Sequence, residues 1–437
     1  MIDKERALIL AHQWLNSGGS AQGARRIGLH EFPLGWVVWA VPPPPERDPA
    51  TGRRRPPAEV GTSCGVVDRR TGELTVWPSV PAEEVARMYT EKHGGDEGAA
   101  NDAAGVTGPG NTAAFGYTDP AKGESYLTRV SAPGMPPAEY QVWFELQRMG
   151  VPLETVTSVH TDLRPSLLPG GYTIHFLSRI FPNAELSCTH DYGADPEERT
   201  RNIMALHEHA KMMNGLVGQP PPPTPHRVPV PVSLQRARPL DDRVLGRQLD
   251  GIAWPDGVLR YPPGALAAQP LFPESTRATL VEAGLPAAMP FFFVADDPRN
   301  PPPGGLFADA AAHLRAVGTE ATDDALRPLS GHVRIGTDGL YVVTVQCRGP
   351  EGSLGTVWAA NPENGAGRYV NASVAAFARS LALLQVARSQ LPGLDPVAAG
   401  GVLTAFQRQL VSIDQTALGK EMNWWSVLVE QMWHGLF

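Results

Sequence analysis

Helical spacing and alternation of apolar residues predict a chain of mixed helix and strand. At the N-terminal end, Ala7, Ala11 and Trp14 recur on one helix face, which predicts an amphipathic helix that Asp3 caps. The elements expected after it are a strand over 36–41, a hairpin over 64–77 and a short helix over 81–88. Together they predict a small α+β module.

The C-terminal part of the chain has the most regular alternation. A hairpin is predicted over 331–347 around an Asp-Gly turn. Alternate residues from Tyr341 to Cys347 are apolar and are expected to share one buried face. A further strand is predicted over 357–359, so a sheet of several strands is expected here.

Two helices are predicted after this sheet. Ser373 is placed to cap the first, whose apolar stripe consists of Val374, Phe377, Leu381 and Leu384. The second closes the chain and is expected to pack onto the sheet through Trp424, Trp425, Leu428, Met432 and Leu436. The C-terminal region is therefore expected to be a mixed α+β domain.

Two segments of low complexity divide the chain. Residues 94–116 are rich in Gly, Ala, Asn, Asp and Thr and predict a flexible linker. Residues 219–235 are rich in proline and predict an extended, stiff spacer. The expected domains are therefore 1–93, 117–218 and 236–437.

Composition narrows the classes of function. The 437 residues carry a net charge of −8, and 8 basic against 15 acidic residues in 96–218 place most of the excess there. Without a basic stripe, a nucleic-acid partner is not expected. No apolar run is long enough for a membrane span or signal core, which predicts a cytoplasmic protein. Three dispersed cysteines make a disulfide framework implausible.

The N-terminal module resembles a known immunity domain. Gly-Trp-Val-Val at 35–38, the hairpin segment 66–73 and Pro-Ala-Glu-Glu at 81–84 are similar to the YrhB-like immunity domain. The resemblance covers about the first ninety residues. It implies a module that binds and neutralises a toxin rather than one that catalyses a reaction.

The middle of the chain resembles the deaminase domains of bacterial polymorphic toxin systems. The resemblance is carried by segments 136–143, 159–173 and 181–193. It implies a three-layer α/β/α fold. Zinc deaminases need a His or Cys two residues before a glutamate, then a Pro-Cys pair and a further Cys.

This chain departs from that motif at each metal-ligand position, which Pro137, Ser166 and Thr173 occupy. Glu139 matches the glutamate that moves protons in the family. Proline offers no ligand, and hydroxyl groups are weak neutral ligands compared with thiolate or imidazole. We therefore expect no metal, no cofactor and no catalysis, with Glu139 a vestigial acid/base.

An active enzyme is the alternative interpretation of this domain. It would be a zinc-dependent nucleotide or nucleic-acid deaminase with atypical metal ligands. The candidate ligands in the segment are His160, His175, Cys188 and His190. Their spacing matches none of the usual zinc ligand sets.

The C-terminal domain resembles the fourth group of the SUKH superfamily of immunity proteins. The resemblance runs from about residue 240 to the end and is carried by Gly-Leu-Pro at 284–286, Phe-Phe-Phe at 291–293 and Tyr-Val-Asn-Ala-Ser at 369–373. It implies a mixed α+β domain that binds toxin domains, many of them nucleases or deaminases.

These resemblances together predict a multidomain α+β immunity protein. It is expected to bind and neutralise nuclease or deaminase toxins and to carry an inactive deaminase-like domain. A scaffold that joins several partners through the proline-rich spacer is a further alternative.

Overall fold

The computed structural model describes residues 4–16, 25–32, 34–41, 64–69, 72–78, 80–93, 105–119, 122–231, 234–267 and 272–437. They belong to two compact units, Met1–Ala103 and Ala104–Phe437. Both units combine helices with antiparallel or mixed sheets. The predicted multidomain α+β class is therefore confirmed.

The first unit has one sheet with a helix on each face. Its elements are α1 (Lys4–Asn16), β1 (Ile27–Phe32), β2 (Gly35–Ala40), β3 (Cys64–Asp68), β4 (Leu74–Trp77) and α2 (Ala82–His93), and the strands pair in chain order. Val38 and Val67 pack with α1 on one face of the sheet. Their chain neighbours Val37 and Val66 point to the other face and pack with α2. The predicted helices and strands are confirmed, and β1 is an addition that the sequence did not suggest. The predicted cap, Asp3, lies outside the described residues.

The second unit begins with a four-stranded sheet in the order β6-β5-β7-β8. Its elements are β5 (Thr112–Asp119), β6 (Gly123–Val130), α3 (Ala138–Met149), β7 (Val156–Leu163), α4 (Thr173–Ile180), β8 (Glu185–His190) and α5 (Pro196–Leu216). Phe115 and Val159 pack with Val142 of α3 and Leu177 of α4 on one face. The β7–β8 pair is parallel, while the other pairs are antiparallel.

The opposite face of this sheet differs from the predicted three layers. It carries the exposed side chains of Tyr126, Thr128 and His160, and no described helix covers it. Ala114 and Gly116 lie in the middle of this face, so it offers little apolar area to a second helical layer.

The C-terminal part contains a six-stranded antiparallel sheet in chain order from β11 to β16. Its elements are α6 (Asp242–Asp250), β9 (Val258–Leu259), α7 (Pro263–Ala267), α8 (Glu274–Glu282), β10 (Leu285–Pro286), β11 (Ala288–Met289), β12 (Phe293–Ala295), α9 (Ala310–Ala316), α10 (Asp323–Leu326), β13 (His332–Thr337), β14 (Val342–Gln346), β15 (Val357–Ala360), β16 (Gly367–Asn371), α11 (Val374–Gln390), α12 (Pro396–Ile413) and α13 (Trp424–Trp433).

The predictions for this region are confirmed in detail. The hairpin is β13–β14, and Tyr341 and Cys347 lie with the intervening alternate residues in one buried cluster. The hydroxyl of Ser373 accepts a hydrogen bond from the amide of Ala376 at 3.1 Å and caps α11. The closing helix is α13, and its apolar residues are buried.

Both predicted linkers need correction where the structure describes them. Residues 112–116 of the first linker form the start of β5, and the lack of a side chain at Gly116 leaves room for Ser158 of the neighbouring strand, whose Oγ would lie 2.5 Å from a Cβ there. In the second linker, Val228 is buried, and Gln407 Nε2 donates hydrogen bonds to the carbonyls of Val228 and Pro229. The segment therefore packs against the C-terminal part and is not a free spacer along its whole length.

Candidate functional site

Glu139 lies in the first turn of α3 and is almost fully buried, with 2% of its surface exposed. Asn111 Nδ2 donates a hydrogen bond to Glu139 Oε1 at 3.1 Å. The carbonyl oxygen of the same Asn111 side chain accepts the amide of Leu163 at the end of β7. Burial raises the pKa of Glu139 to about 7, because a carboxylate loses its hydration there.

The predicted vestigial metal positions meet at one cavity beside Glu139. Pro137, Ser166 and Thr173 line it together with Glu139, and its volume is about 30 Å³. Thr173 begins α4, and its hydroxyl accepts a hydrogen bond from the amide of Ser166 at 3.0 Å. That these were once metal-ligand positions stays a prediction.

These donors do not fit a zinc ion. Pro137 has no donor atom, and the Thr173 hydroxyl already accepts a backbone hydrogen bond. Ser166 offers only a neutral hydroxyl. Across the described residues, no group of three His, Cys, Asp or Glu side chains could hold a metal ion.

The alternative metal ligands lie elsewhere. His160 projects from the exposed sheet face, where its ring nitrogens lie 2.9 Å from Ser187 Oγ and 3.2 Å from Thr189 Oγ1. His175 lines a separate aromatic cleft of about 350 Å³. Cys188 and His190 are on β8, and neither lines the cavity of Glu139.

The C-terminal end of the chain closes the Glu139 cavity. Gln431, Leu436 and Phe437 are part of its lining. Gln431 Nε2 donates a hydrogen bond to the carbonyl of Pro169 at 2.7 Å. Gly170 has a φ of +105°, and a Cβ built on it would lie 2.5 Å from the Phe437 ring. Sequence reasoning missed this closure, because no local pattern connects Phe437 with Gly170.

Buried polar pairs hold α13 against the middle of the chain. Arg199 on α5 forms a two-bonded ion pair with Glu430, at 3.0 and 2.6 Å, and the Arg199 side chain is fully buried. The Tyr192 hydroxyl lies 2.7 Å from His434 Nδ1. Burial, together with Arg227 and Arg199, lowers the pKa of His434 to about 3, so its ring is neutral near pH 7.

Comparisons with known families match three successive parts of the chain. The Immunity protein 35-like domain matches residues 5–95, the Xanthomonas-like deaminase matches 108–209, and the SUKH-4 immunity protein matches 244–431. Two immunity domains flank a deaminase-like domain. The architecture predicted from the sequence is confirmed, with the Immunity protein 35-like domain where a YrhB-like one was expected.

These matches support an immunity protein, because two of its three domains are similar to immunity proteins. The range of the deaminase match includes Glu139, Pro137, Ser166 and Thr173. Leu436 and Phe437 lie beyond the end of the SUKH-4 match.

No curated protein and no solved structure matched the chain. None of the described helices is both long enough and apolar enough to cross a membrane.

Proposed function

We propose that this chain binds and neutralises toxin domains of the nuclease or deaminase type, and that its own deaminase-like domain is catalytically inactive. The two immunity domains support the binding of protein toxins. The observation that carries the inactivity is the cavity of Glu139, where Pro137, Ser166 and Thr173 replace metal ligands. The division into three domains at 1–93, 117–218 and 236–437 remains a prediction.

The surroundings of Glu139 support the proposed loss of catalysis. A glutamate with a pKa near 7 is suited to moving protons, but a deaminase also needs an activated water. Hydroxyl groups and proline do not hold the zinc that would activate it. In this proposal, Glu139 is a buried acid that remains from an ancestral active site.

Zinc content tests the inactivity directly. Full-length protein purified without chelator is expected to contain less than about 0.1 zinc per chain by elemental analysis, given the donor preferences of zinc. The matched control is the full chain with Pro137→His, Ser166→Cys and Thr173→Cys, which restores the ligand set. About one zinc per unaltered chain, together with release of ammonia from cytidine or adenosine, would establish an active enzyme instead.

Protection of cells tests the immunity function. The chain is co-expressed in bacteria with a panel of nuclease and deaminase toxin domains. Growth is expected to recover with at least one of them, and the pair is expected to copurify. A chain that restores growth with none and copurifies with none contradicts the proposed function. Recovery of housekeeping proteins in place of toxins would favour the scaffold.

A further inference from the structure

Helix α13 belongs to two domains at once. Trp424, Trp425 and Leu428 pack in the main core of the SUKH-4 domain. Val427 instead joins a cluster with Leu163 and Ile203 of the deaminase-like domain. The polar side chains on this second side and the last residues of the chain will be called the cleft-binding face, which consists of Glu430, Gln431, His434, Leu436 and Phe437.

We propose that the cleft-binding face is the surface with which this protein binds the catalytic cleft of a deaminase-type toxin domain, and that its own deaminase-like domain occupies this surface until such a toxin displaces it. This inference rests on the proposed immunity function. It adds the partner's fold, the surface used and a mode of regulation.

The first argument is that the cleft-binding face covers the place where a deaminase binds its substrate. Gln431, Leu436 and Phe437 reach the cavity that contains Glu139. With them in place, about 30 Å³ remain, which is room for about one water molecule. Ligand pockets have volumes of about 300 Å³ or more. The same contacts on an active deaminase would exclude its substrate.

The second argument is that many of the contacts address the backbone. Gln431 Nε2 bonds to the carbonyl of Pro169. The amides of Gly108 and Gly110 donate to the carbonyls of Trp433 and His434 at 2.7 and 3.0 Å. The hydroxyl of Ser131 donates to the carbonyl of Gly435 at 2.9 Å. The close approach needs glycine at 108 and 170, where a Cβ would lie 2.8 Å from the His434 carbonyl oxygen and 2.5 Å from the Phe437 ring. This mode of binding therefore fits a deaminase-type domain that keeps both glycines.

The third argument concerns specificity. Glu430 is buried and paired with Arg199. A partner that offered no cation at this place would leave a buried carboxylate without a counter-charge, which is strongly unfavourable. The toxin domain that fits is therefore a deaminase fold with a basic side chain where α5 carries Arg199.

The resident domain also sets a threshold for binding. A domain in the same chain competes at an effective concentration on the order of millimolar. A weakly bound toxin cannot displace it, whereas a cognate toxin with a much lower dissociation constant can. The deaminase-like domain thus keeps the cleft-binding face covered and raises its selectivity.

Substitutions on the two sides of the contact test the inference, because the resident side is absent from the toxin complex whereas the face is used by both. The probes are zinc-loaded toxin domains that match the Xanthomonas-like deaminase family and keep all metal ligands. Inhibition of deamination is titrated with the full-length protein. Tyr192→Phe removes the resident domain's bond to His434, so the inhibition constant is expected to fall about fivefold. Phe437→Ala weakens the hold of the face on the toxin and on the resident domain alike, so the two effects offset and the constant is expected to stay within about threefold.

Phe437→Leu is the matched control, and it is expected to remain within about threefold of the natural chain because it retains most of the apolar side chain. Thermal unfolding of each variant shows whether it is folded. An inhibition constant that is unchanged or higher for Tyr192→Phe would overturn the inference. So would the absence of inhibition of every deaminase probe by a chain that still neutralises a nuclease toxin, and the proposed function would then survive. If no toxin of either type is neutralised, the proposed function itself fails.

Discussion

The two sides of helix α13 are both buried, yet opposite kinds of residue form them. The side toward the SUKH-4 sheet is aromatic and aliphatic, and each indole N–H has a specific acceptor. Trp424 donates to Asp338 and Trp425 donates to Asn371, both at 2.8 Å. The side toward the deaminase-like domain presents Glu430, Gln431 and His434, which bond across to the other domain.

This difference shows which contact depends on a particular partner. An apolar surface gains stability from nearly any close-packed apolar neighbour. A buried carboxylate or amide is favourable only where its own partner is present. The apolar side therefore builds the SUKH-4 core, while the polar side recognises one cleft.

The largest expected effect follows from breaking the ion pair on the polar side. Glu430→Ala leaves Arg199 buried without a counter-charge, and we expect the free energy of unfolding to fall by about 3–5 kcal/mol. Replacing both residues, as Arg199→Leu with Glu430→Leu, is expected to recover most of this loss. Urea unfolding of the full chain measures the free energy of unfolding of the single and of the double variant. A loss below about 1 kcal/mol for Glu430→Ala would contradict the tight burial of the pair.

A truncation on the apolar side provides the comparison. Leu428 is fully buried in the SUKH-4 core, so Leu428→Ala is expected to cost about 3 kcal/mol through lost contacts and the cavity left behind. Because this side does not involve Arg199, the cost is expected to be the same in an Arg199→Leu background. A double-mutant cycle by urea unfolding checks the additivity. Coupling above about 1 kcal/mol would mean that the two sides of α13 are not independent.

The sequence predicted one side of α13 and not the other for a physical reason. Apolar residues at helical spacing indicate burial wherever they occur, so Trp424, Leu428 and Met432 predicted a packed helix. Glu430 and His434 have the composition of a solvent-exposed face. Only their partners, distant along the chain, show that they are buried.

The sequence likewise predicted one part of the candidate site and not the other. Glu139, Ser166 and Thr173 were located through the resemblance to deaminases, and the structure brings them to one cavity. Its closure by Phe437 depends on packing between domains and leaves no signal in the local pattern. The start of β5 is predicted as linker because Ala113, Ala114 and Gly116 are small, whereas in the structure the small Gly116 makes room for Ser158 of the neighbouring strand.

The protonation of Glu139 provides a contrast with Glu430. Glu430 is paired with Arg199, whereas Glu139 is buried and accepts a hydrogen bond from the neutral Asn111 side chain. Its pKa is about 7 in the folded protein against an ordinary value of 4.5. The folded state therefore retains a proton that the unfolded chain releases between these values. The stability that the folded state gains from binding this proton is fully present below pH 4.5 and is lost as the pH rises through 7.

Glu139→Gln removes this dependence and keeps an acceptor for Asn111. We expect the variant to be more stable than the natural chain by about 2–3 kcal/mol at pH 8 and similar to it at pH 4.5. Urea unfolding at the two pH values measures the difference. Glu145→Gln is the matched control on the same helix, because its hydrogen bond from Arg148 lowers the pKa of Glu145 and the substitution should not stabilise. A variant at Glu139 that gains nothing at pH 8 would show that the carboxylate is solvated there.

The smallest expected loss of stability comes from Gln431, whose side-chain amide reaches the Glu139 cavity from the polar side of α13. Gln431→Met keeps the shape of the side chain and removes its bond to the Pro169 carbonyl, at a cost of about 1 kcal/mol in the free energy of unfolding. Gln415 makes the same type of bond, to the carbonyl of Leu234 at 3.0 Å, in a half-buried place away from α13. Gln415→Met is expected to cost less, because water can replace the lost partner there. Equal costs at both positions would mean that water reaches the Glu139 cavity past Phe437, and the cleft-binding face would then not seal the cleft.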